Sequence, residues 1–344
     1  MPPPSSTPFG ESSHPNKTRH IILTGVRLAA GIAILVYLAK SGIINFAALA
    51  ALALKWPVTL GAIVIFLVDI FLMALRTSWL FRPLGMRLTI SRSMQLTLIS
   101  LFFSTFLPGA GGGDLVKLYY ATKENGGKRT KIATILIFDR TIGFFAMLIL
   151  PFFFAPFFLP LLRAVPVLRA ILILTAYVSA AMLAAFLLTA FSRRAQTLLT
   201  REFPGFRAWR NLAGQILETI TTLARSPGTL FSALILSLLA NLSAIAITAL
   251  AFLALDPAGL EWKMCLVIPI GHVVNSLPLT PGGLGVGETA LNGLFQLAGL
   301  RGGAETLLCW RVWKAVVGLA GLVIYVRGMS ERVFVSEAEL RSVP

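Results

Sequence analysis

Charged side chains are scarce in this sequence. They make up 13% of its 344 residues, whereas 56% are hydrophobic, and the mean hydropathy is +0.82. Soluble globular domains have about 25% charged residues, so this composition excludes a single soluble globular domain. The apolar residues gather in runs long enough to span a membrane. The sequence therefore predicts an all-α polytopic membrane protein.

Acidic residues are particularly few: 14 stand against 30 Lys and Arg, which leaves a net charge of +16. The basic residues cluster in short loops between apolar runs, where such residues set membrane topology and meet anionic lipid headgroups. We therefore expect membrane lipids as partners and no nucleic acid. A second copy of the chain and a lipid-synthesis enzyme are further candidate partners.

The chain has only two cysteines and three histidines. Cys265 and Cys309 lie inside apolar segments, and His14 and His20 lie in the N-terminal tail or at its edge, so neither a disulfide framework nor a metal cluster is indicated. The glycine-rich stretches also lack the Gly-x-x-x-x-Gly-Lys-Ser/Thr phosphate loop of NTPases. We expect no metal, no cofactor and no nucleotide engine. Uphill transport would then use an ion gradient, the membrane potential or consumption of the lipid on the far side.

Two glycine-rich breaks interrupt apolar segments, at 106–114 and 279–288. Each contains Pro-Gly-x-x-Gly followed within three residues by a carboxylate, Asp114 or Glu288, and each precedes a basic residue, Arg140 or Arg311, by about thirty residues. Irregular backbone persists at membrane depth only where protein or a water-filled cavity satisfies its amides. Two broken helices in matching halves of a chain indicate a transport site.

The distribution of charge predicts how these breaks lie in the membrane. Basic loops flank segment 93–116 on both sides, so the positive-inside rule places both in the cytoplasm and makes the segment a re-entrant hairpin. The short loop 256–263 is nearly charge-balanced, as an external loop should be, and the last span ends in basic residues. Segment 264–299 then begins and ends outside. It is predicted to be a second re-entrant hairpin that enters from the opposite face.

The chain is thus predicted to have two inverted repeats with about six transmembrane helices and cytoplasmic N- and C-termini. The predicted divisions are a disordered tail over 1–18, the first membrane repeat over 19–192, a basic cytoplasmic or interfacial amphipathic segment over 193–226, the second membrane repeat over 227–328, and a cytoplasmic tail over 329–344.

The motifs resemble those of a known family. They are Leu107-Pro-Gly with Gly112, Asp114 and Lys117, then Asp139-Arg140-x-x-Gly143, then Pro278-x-x-Pro281-Gly-Gly-Leu-Gly-Val-Gly-Glu288. Over roughly residues 20 to 330 the chain resembles the lysylphosphatidylglycerol synthase transmembrane (flippase-like) family. The resemblance implies a lipid translocase of the bacterial inner membrane. Family enzymes that also make the lipid carry a soluble aminoacyltransferase domain after the membrane domain, and this chain ends at Pro344. The expectation is therefore transport without synthesis.

The candidate lipid-binding residues supply backbone amides, positive charge or carboxylates. A lipid phosphate needs hydrogen-bond donors, and half-helices beginning near Gly112 and Gly285 would offer free amides. The carboxylates either pair with nearby cations or receive a cationic headgroup or a proton. Each charge at bilayer depth costs roughly 2.5–3.5 kcal/mol, so pairing is expected in both cases. The candidates are Pro108, Gly109, Gly112, Asp114, Lys117, Asp139, Arg140, Pro281, Gly282, Gly283, Gly285, Glu288, Arg311 and Lys314.

Within this set, neighbouring Arg140 is expected to compensate Asp139, and Arg311 and Lys314 share one helical face. Two further residues, Asp69 and His272, are candidates for ion or proton coupling. Asp69 and Arg76 share a face, but at about 10 Å of helical rise they are too far apart to touch. The alternative role for His272 is to satisfy hairpin backbone.

The favoured function is a flippase-like transporter that moves a phospholipid or an isoprenoid-linked lipid between leaflets. The first alternative is an integral-membrane enzyme that modifies lipid headgroups with an embedded carboxylate as general base. The scarcity of histidine and of metal-ligand spacing argues against it. A small-solute transporter or channel is the second alternative.

Overall fold

The computed structural model describes residues 55–106, 112–199, 207–255, 260–277 and 285–341, all within the unit Asn45–Pro344. These residues are almost entirely helical and contain no β-strand. The predicted tail, the first apolar run, the two glycine-rich tips at 107–111 and 278–284, and the chain's last three residues lie outside the described residues.

The described helices are numbered in chain order. They are α1 (Trp56–Phe81), α2 (Ile90–Phe106), α3 (Gly112–Glu124), α4 (Arg129–Phe154), α5 (Leu159–Ala164), α6 (Pro166–Phe191), α7 (Arg193–Leu199), α8 (Arg207–Ala224), α9 (Pro227–Leu255), α10 (Met264–Ser276), α11 (Val286–Leu297) and α12 (Gly303–Arg341).

Five of these helices are long and apolar enough to cross a membrane: α1, α4, α6, α9 and α12. Pro57, Pro166 and Pro227 lie in the first turns of α1, α6 and α9, where proline suits the helical φ and the missing N–H is not needed. The chain is therefore a multi-pass membrane protein, as predicted, and the sixth predicted span falls outside the described residues.

Helices α2 and α3 form a helical hairpin, called here the first hairpin. At its open end, Arg92 Nε donates to Glu124 Oε1 at 2.8 Å. Toward its tip, Gly113 lies against Ser100 and Ser104. The two helices therefore run antiparallel. With 17 and 13 residues they are about 25 and 20 Å long, shorter than the roughly 30 Å hydrocarbon core.

Helices α10 and α11 form the second hairpin. Gly287 at the start of α11 lies against Asn275 at the end of α10, and Gly271 lies against Leu291 further from the tip. These helices have 13 and 12 residues and are shorter still. The second hairpin lies within the predicted segment 264–299, but the first is longer than the predicted 93–116, because α3 continues to Glu124 and takes in Lys117 and Lys123 of the expected basic loop. The placement of both hairpins in the membrane stays a prediction.

The packing of the two hairpins is crossed. Helices α1 and α9 pack on each other, α2 of the first hairpin packs on α12, and α10 of the second hairpin packs on α4. Each hairpin also packs through its second helix on the long helix that follows it, α3 on α4 and α11 on α12. The same contacts therefore recur in both halves, with α1, α2, α3 and α4 corresponding to α9, α10, α11 and α12 in that order. Helices α5 to α8 lie outside this correspondence. Each hairpin is therefore held by long helices from both halves.

Glycine makes one of these crossed contacts close. A Cβ at Gly321 of α12 would lie 2.1 Å from the backbone oxygen of Leu98 in α2, and one at Gly318 would contact the backbone of Phe102. The helix backbones approach each other directly here, as small residues permit in membrane helices.

The basic segment 193–226 is helical in two pieces, α7 and α8. Helix α8 packs on α4, α6 and α9, with Leu223 fully buried and Lys131 of α4 paired to Glu218 at 2.7 Å. Its remaining exposed face agrees with the predicted amphipathic character. Its position at the membrane surface stays a prediction.

Candidate functional site

The first carboxylate after a glycine-rich break is ion-paired. Helix α3 begins at Gly112, as predicted, which puts Asp114 in its first turn. The carboxylate accepts a hydrogen bond from Nη1 of Arg140 in α4. The two side chains are half exposed, at 51% and 58%. This pair joins the first hairpin to the long helix that follows it.

The second break has the same arrangement. Helix α11 begins at Val286 with Gly285 as its N-cap, and Glu288 accepts a hydrogen bond from the Gly285 N–H at 2.7 Å. Arg311 of α12 places Nε 2.7 Å from Glu288 Oε1 and donates from Nη2 to Asn275 Oδ1 at 2.6 Å. Arg311 therefore ties both helices of the second hairpin to α12.

The two pairs differ in exposure. Glu288 and Arg311 are exposed by only 9% and 17%, far less than Asp114 and Arg140. The expectation that the carboxylates would pair with cations is confirmed for both hairpins.

A glycine directly precedes each paired carboxylate. A Cβ at Gly113 would lie 2.1 Å from the Ser100 backbone oxygen, and one at Gly287 would lie 2.4 Å from Asn275 Oδ1. Such approaches are far inside van der Waals contact, so neither position has room for a larger residue. The hairpin helices touch at these glycines, and this contact orients the carboxylates toward their arginines.

Asp139 has a different partner from the expected one. The charge of Asp139 is compensated by Arg76 of α1, whose Nε donates to Asp139 Oδ1 at 2.8 Å. Arg140, the expected partner, binds Asp114 instead. Arg76 Nη1 also donates to Ser237 Oγ of α9 at 2.9 Å. The physical reason is that residues adjacent in a helix point in different directions, so Asp139 faces α1 and Arg140 faces α3.

Lys117 of the first hairpin joins this buried cluster. Its Nζ donates to Thr77 Oγ1 at 3.1 Å, and Thr77 Oγ1 lies 3.2 Å from Asp139 Oδ2. A Cβ at Gly143 would lie 2.7 Å from Arg76 Nη1, so this glycine makes room for the guanidinium. The cluster connects α1, α3, α4 and α9.

Asp69 of α1 lies within electrostatic range of Lys314 of α12. Asp69 is buried, and within the described parts of the chain its Oδ1 has no hydrogen-bond partner. The charges of Arg76 and Lys314 both act on it. The Lys314 ammonium lies 5.2 Å from the ring centre of Trp310, within cation–π range. As expected, Asp69 and Arg76 form no direct ion pair.

His272 is buried beside the same tryptophan. Its Nε2 lies 2.8 Å from Thr248 Oγ1 of α9, and its ring meets Trp310 edge-on at 5.0 Å. Among the described residues its hydrogen-bond partner is thus a side chain and not hairpin backbone. His272 and Lys314 thus both approach the Trp310 ring, and the Lys314 charge acts in turn on Asp69, the other coupling candidate.

Several site residues escaped prediction from the sequence. Ser237 and Asn275 were not singled out, and Arg76 was given a weaker role than Asp69. A polar residue inside an apolar run was the available signal at all three positions. Of the predicted site residues, Pro108, Gly109, Pro281, Gly282 and Gly283 lie outside the described residues. Where the structure describes the chain, no group of three or more His, Cys, Asp or Glu is placed to hold a metal ion.

Residues 22–330 match the family model described as the lysylphosphatidylglycerol synthase TM region. The match includes both hairpins, all five long helices and both carboxylate–arginine pairs. No curated protein and no solved structure matches the chain.

Proposed function

The chain belongs to the family of lysylphosphatidylglycerol synthase transmembrane regions, and from this membership we propose that it moves a phospholipid or an isoprenoid-linked lipid between the two leaflets of a membrane. The observation that carries the proposal is the pair of matching ion pairs, Asp114 with Arg140 and Glu288 with Arg311. Matching elements in two halves of a chain are typical of many carriers that open to two sides of a membrane.

The proposed topology follows from length, charge and packing. The hairpin helices are too short to span, the loops beside the first hairpin are basic, and the loop before the second is nearly charge-balanced. The hairpins therefore enter from opposite faces of a bacterial inner membrane, and both termini are cytoplasmic. The crossed packing of α2 on α12 and α10 on α4 sets each hairpin against long helices of both halves.

The lipid phosphate would bind where positive charge and backbone donors meet. The N-terminus of α3 carries the positive end of its helix dipole, and Arg140 lies beside it. Lys117 adds a buried cation, and the charge of Arg140 also acts on Lys314 of the other half. A headgroup at this point is therefore within electrostatic reach of both halves.

The unequal exposure of the two ion pairs supports alternating access. The pair of the first hairpin is open to its surroundings, whereas the pair of the second is enclosed between α10, α11 and α12. In the opposite state the exposure would be reversed. Each arginine then holds its hairpin closed on one side and receives the headgroup when the pair opens.

Translocation is tested with purified protein in liposomes that carry fluorescent phospholipids. Dithionite bleaches outer-leaflet label, so a translocase brings the bleached fraction well above the roughly half accessible in sealed vesicles. Arg140→Ala should reduce bleaching to the protein-free level. The control, Arg169→Ala, removes an exposed arginine at the start of α6 and should leave bleaching unchanged. Bleaching by the wild-type protein at the protein-free level, with anionic and zwitterionic lipids and with an imposed ion gradient, would contradict the proposal.

A further inference from the structure

An open groove runs beside the first hairpin, between α3 and the start of α4. Its volume is about 540 Å³, within the range of small-molecule pockets, and its walls include Leu115, Leu118, Tyr119, Thr122, Lys123 and Arg129. The groove is apolar along most of its length. It is basic at the end where the loop joins α3 to α4.

The apolar wall is the outer face of α3. Gly113, Lys117 and Ala121, spaced four apart, are buried, whereas Leu115 and Tyr119 on the other side are exposed. The helix therefore turns Lys117 inward and the apolar stripe of Leu115 and Tyr119 outward. This arrangement is the reverse of a water-exposed helix and is expected for a face that contacts acyl chains.

The second wall is the start of α4, where Arg129 lines the groove. Further along α4, Ile137 is exposed, and Arg140 follows one turn later. Asp114, which is paired with Arg140, directly precedes Leu115 of the groove wall. One end of the groove is thus next to the candidate transport site.

The basic end carries cations with no protein counter-charge. Within the described residues, the side chains of Lys123 and Arg129 form neither a hydrogen bond nor an ion pair, and both residues are exposed. Their basic neighbours differ, since Arg92 is paired with Glu124 and Lys131 with Glu218. Two unpaired cations at one end of an apolar groove complement a phosphate attached to acyl chains.

We propose that this groove is the docking site where a phosphate-bearing diacyl lipid enters, its phosphate between Lys123 and Arg129 and an acyl chain along Leu115 and Tyr119. The inference rests on the proposed function and names the substrate class of its site. Nine residues separate Asp114 from Lys123, a rise of about 13.5 Å. This is close to half of the roughly 30 Å hydrocarbon core. The groove therefore leads from the headgroup level to the middle of the membrane.

The test is photo-cross-linking in liposomes with phosphatidylglycerol that carries a diazirine on an acyl chain. The labelled residue is identified by mass spectrometry. Tyr177 of α6 is a matched control because it is as exposed as Tyr119, 71% against 61%, and lies on a different helix. Tyr119 should be labelled at least several-fold more than Tyr177. Diacylglycerol with the same diazirine has no phosphate and should label both tyrosines equally.

Substitution then tests the basic end. Each basic residue near anionic lipid contributes about fivefold in binding, so Lys123→Gln with Arg129→Gln should reduce labelling of Tyr119 more than tenfold. Arg193→Gln with Arg194→Gln removes two exposed cations elsewhere and should change nothing. Equal labelling of Tyr119 and Tyr177 by phosphatidylglycerol would show ordinary lipid contact and overturn the docking site, even if the protein translocates lipid. Selective labelling without translocation would contradict the proposed function alone.

Discussion

Arg76 and Asp139 form a buried ion pair between α1 and α4. Arg76 Nε lies 2.8 Å from Asp139 Oδ1, and the two side chains are exposed by only 9% and 10%. Because Arg76 also binds Ser237 of α9, the pair joins helices from both halves of the chain. It holds together the helices that pack around the hairpins.

Asp139→Asn should therefore lower the free energy of unfolding by about 3–5 kcal/mol, because it leaves the Arg76 charge buried without a counter-charge. Glu218→Gln is the matched control. It removes the carboxylate of the more exposed pair with Lys131 and should cost about 1 kcal/mol or less. Thermal unfolding of the purified variants in one detergent makes the comparison. Equal losses in the two variants would show that the Arg76–Asp139 pair is not buried.

The glycines before the paired carboxylates should not tolerate alanine. Gly113→Ala and Gly287→Ala place a Cβ 2.1 and 2.4 Å from atoms of the other hairpin helix, so each should reduce stability by several kcal/mol. Gly293→Ala is a control in α11, where nothing lies within 4 Å, and should be neutral or stabilising by about 1 kcal/mol. The melting temperatures of the three variants test this prediction. If all three melt like the wild type, the hairpin helices are not in direct contact.

Asp69 should couple translocation to a proton or sodium gradient. It is a buried carboxylate whose Oδ1 has no hydrogen-bond partner among the described residues, and the charge of Lys314 acts on it. In Asp69→Asn, the stimulation of lipid translocation by an imposed proton or sodium gradient should disappear, while the rate without a gradient persists. The measurement compares initial rates with and without each gradient. Glu261→Gln, an exposed loop variant, should behave as the wild type. Stimulation that survives in Asp69→Asn would exclude this residue as the coupling site.

The opposite entry of the two hairpins predicts opposite accessibility of the adjoining loops. In a chain with Cys265→Ala and Cys309→Ala, Lys128→Cys should react with a membrane-impermeant thiol reagent only from the cytoplasmic side. Glu261→Cys should react only from the outside. Both loop residues are exposed, so labelling needs no unfolding. Reaction of both from one side would contradict the inverted arrangement.

Local sequence signals were sufficient for much of the fold. The apolar runs predicted a multi-pass membrane protein, and five long apolar helices are present among the described residues. The glycine-rich breaks lie between the two helices of each hairpin, as predicted. The starts of α3 and α11 near Gly112 and Gly285 were also predicted, because glycine and the carboxylate that follows it are N-terminal signals of a helix.

The partner of each charge was harder to predict. Asp139 pairs with Arg76, 63 positions earlier, and no local pattern points to a residue at that distance. The pairing depends on which faces of α1 and α4 meet, and this is decided by the packing of all the surrounding helices. The pairs of Asp114 with Arg140 and Glu288 with Arg311 were not predicted individually either, although the common spacing of these residues in the two halves was visible in the sequence.

The central claim is that lipid crosses the membrane through hairpins held by paired charges, and charge exchange at the second pair tests it most directly. Translocation rates are measured in liposomes for Glu288→Arg, for Arg311→Glu and for the two changes combined, with folding of each variant checked by gel filtration. The account predicts that each single change stops translocation and that the exchanged pair restores a substantial part of the rate. Translocation at the wild-type rate in both single variants would contradict it.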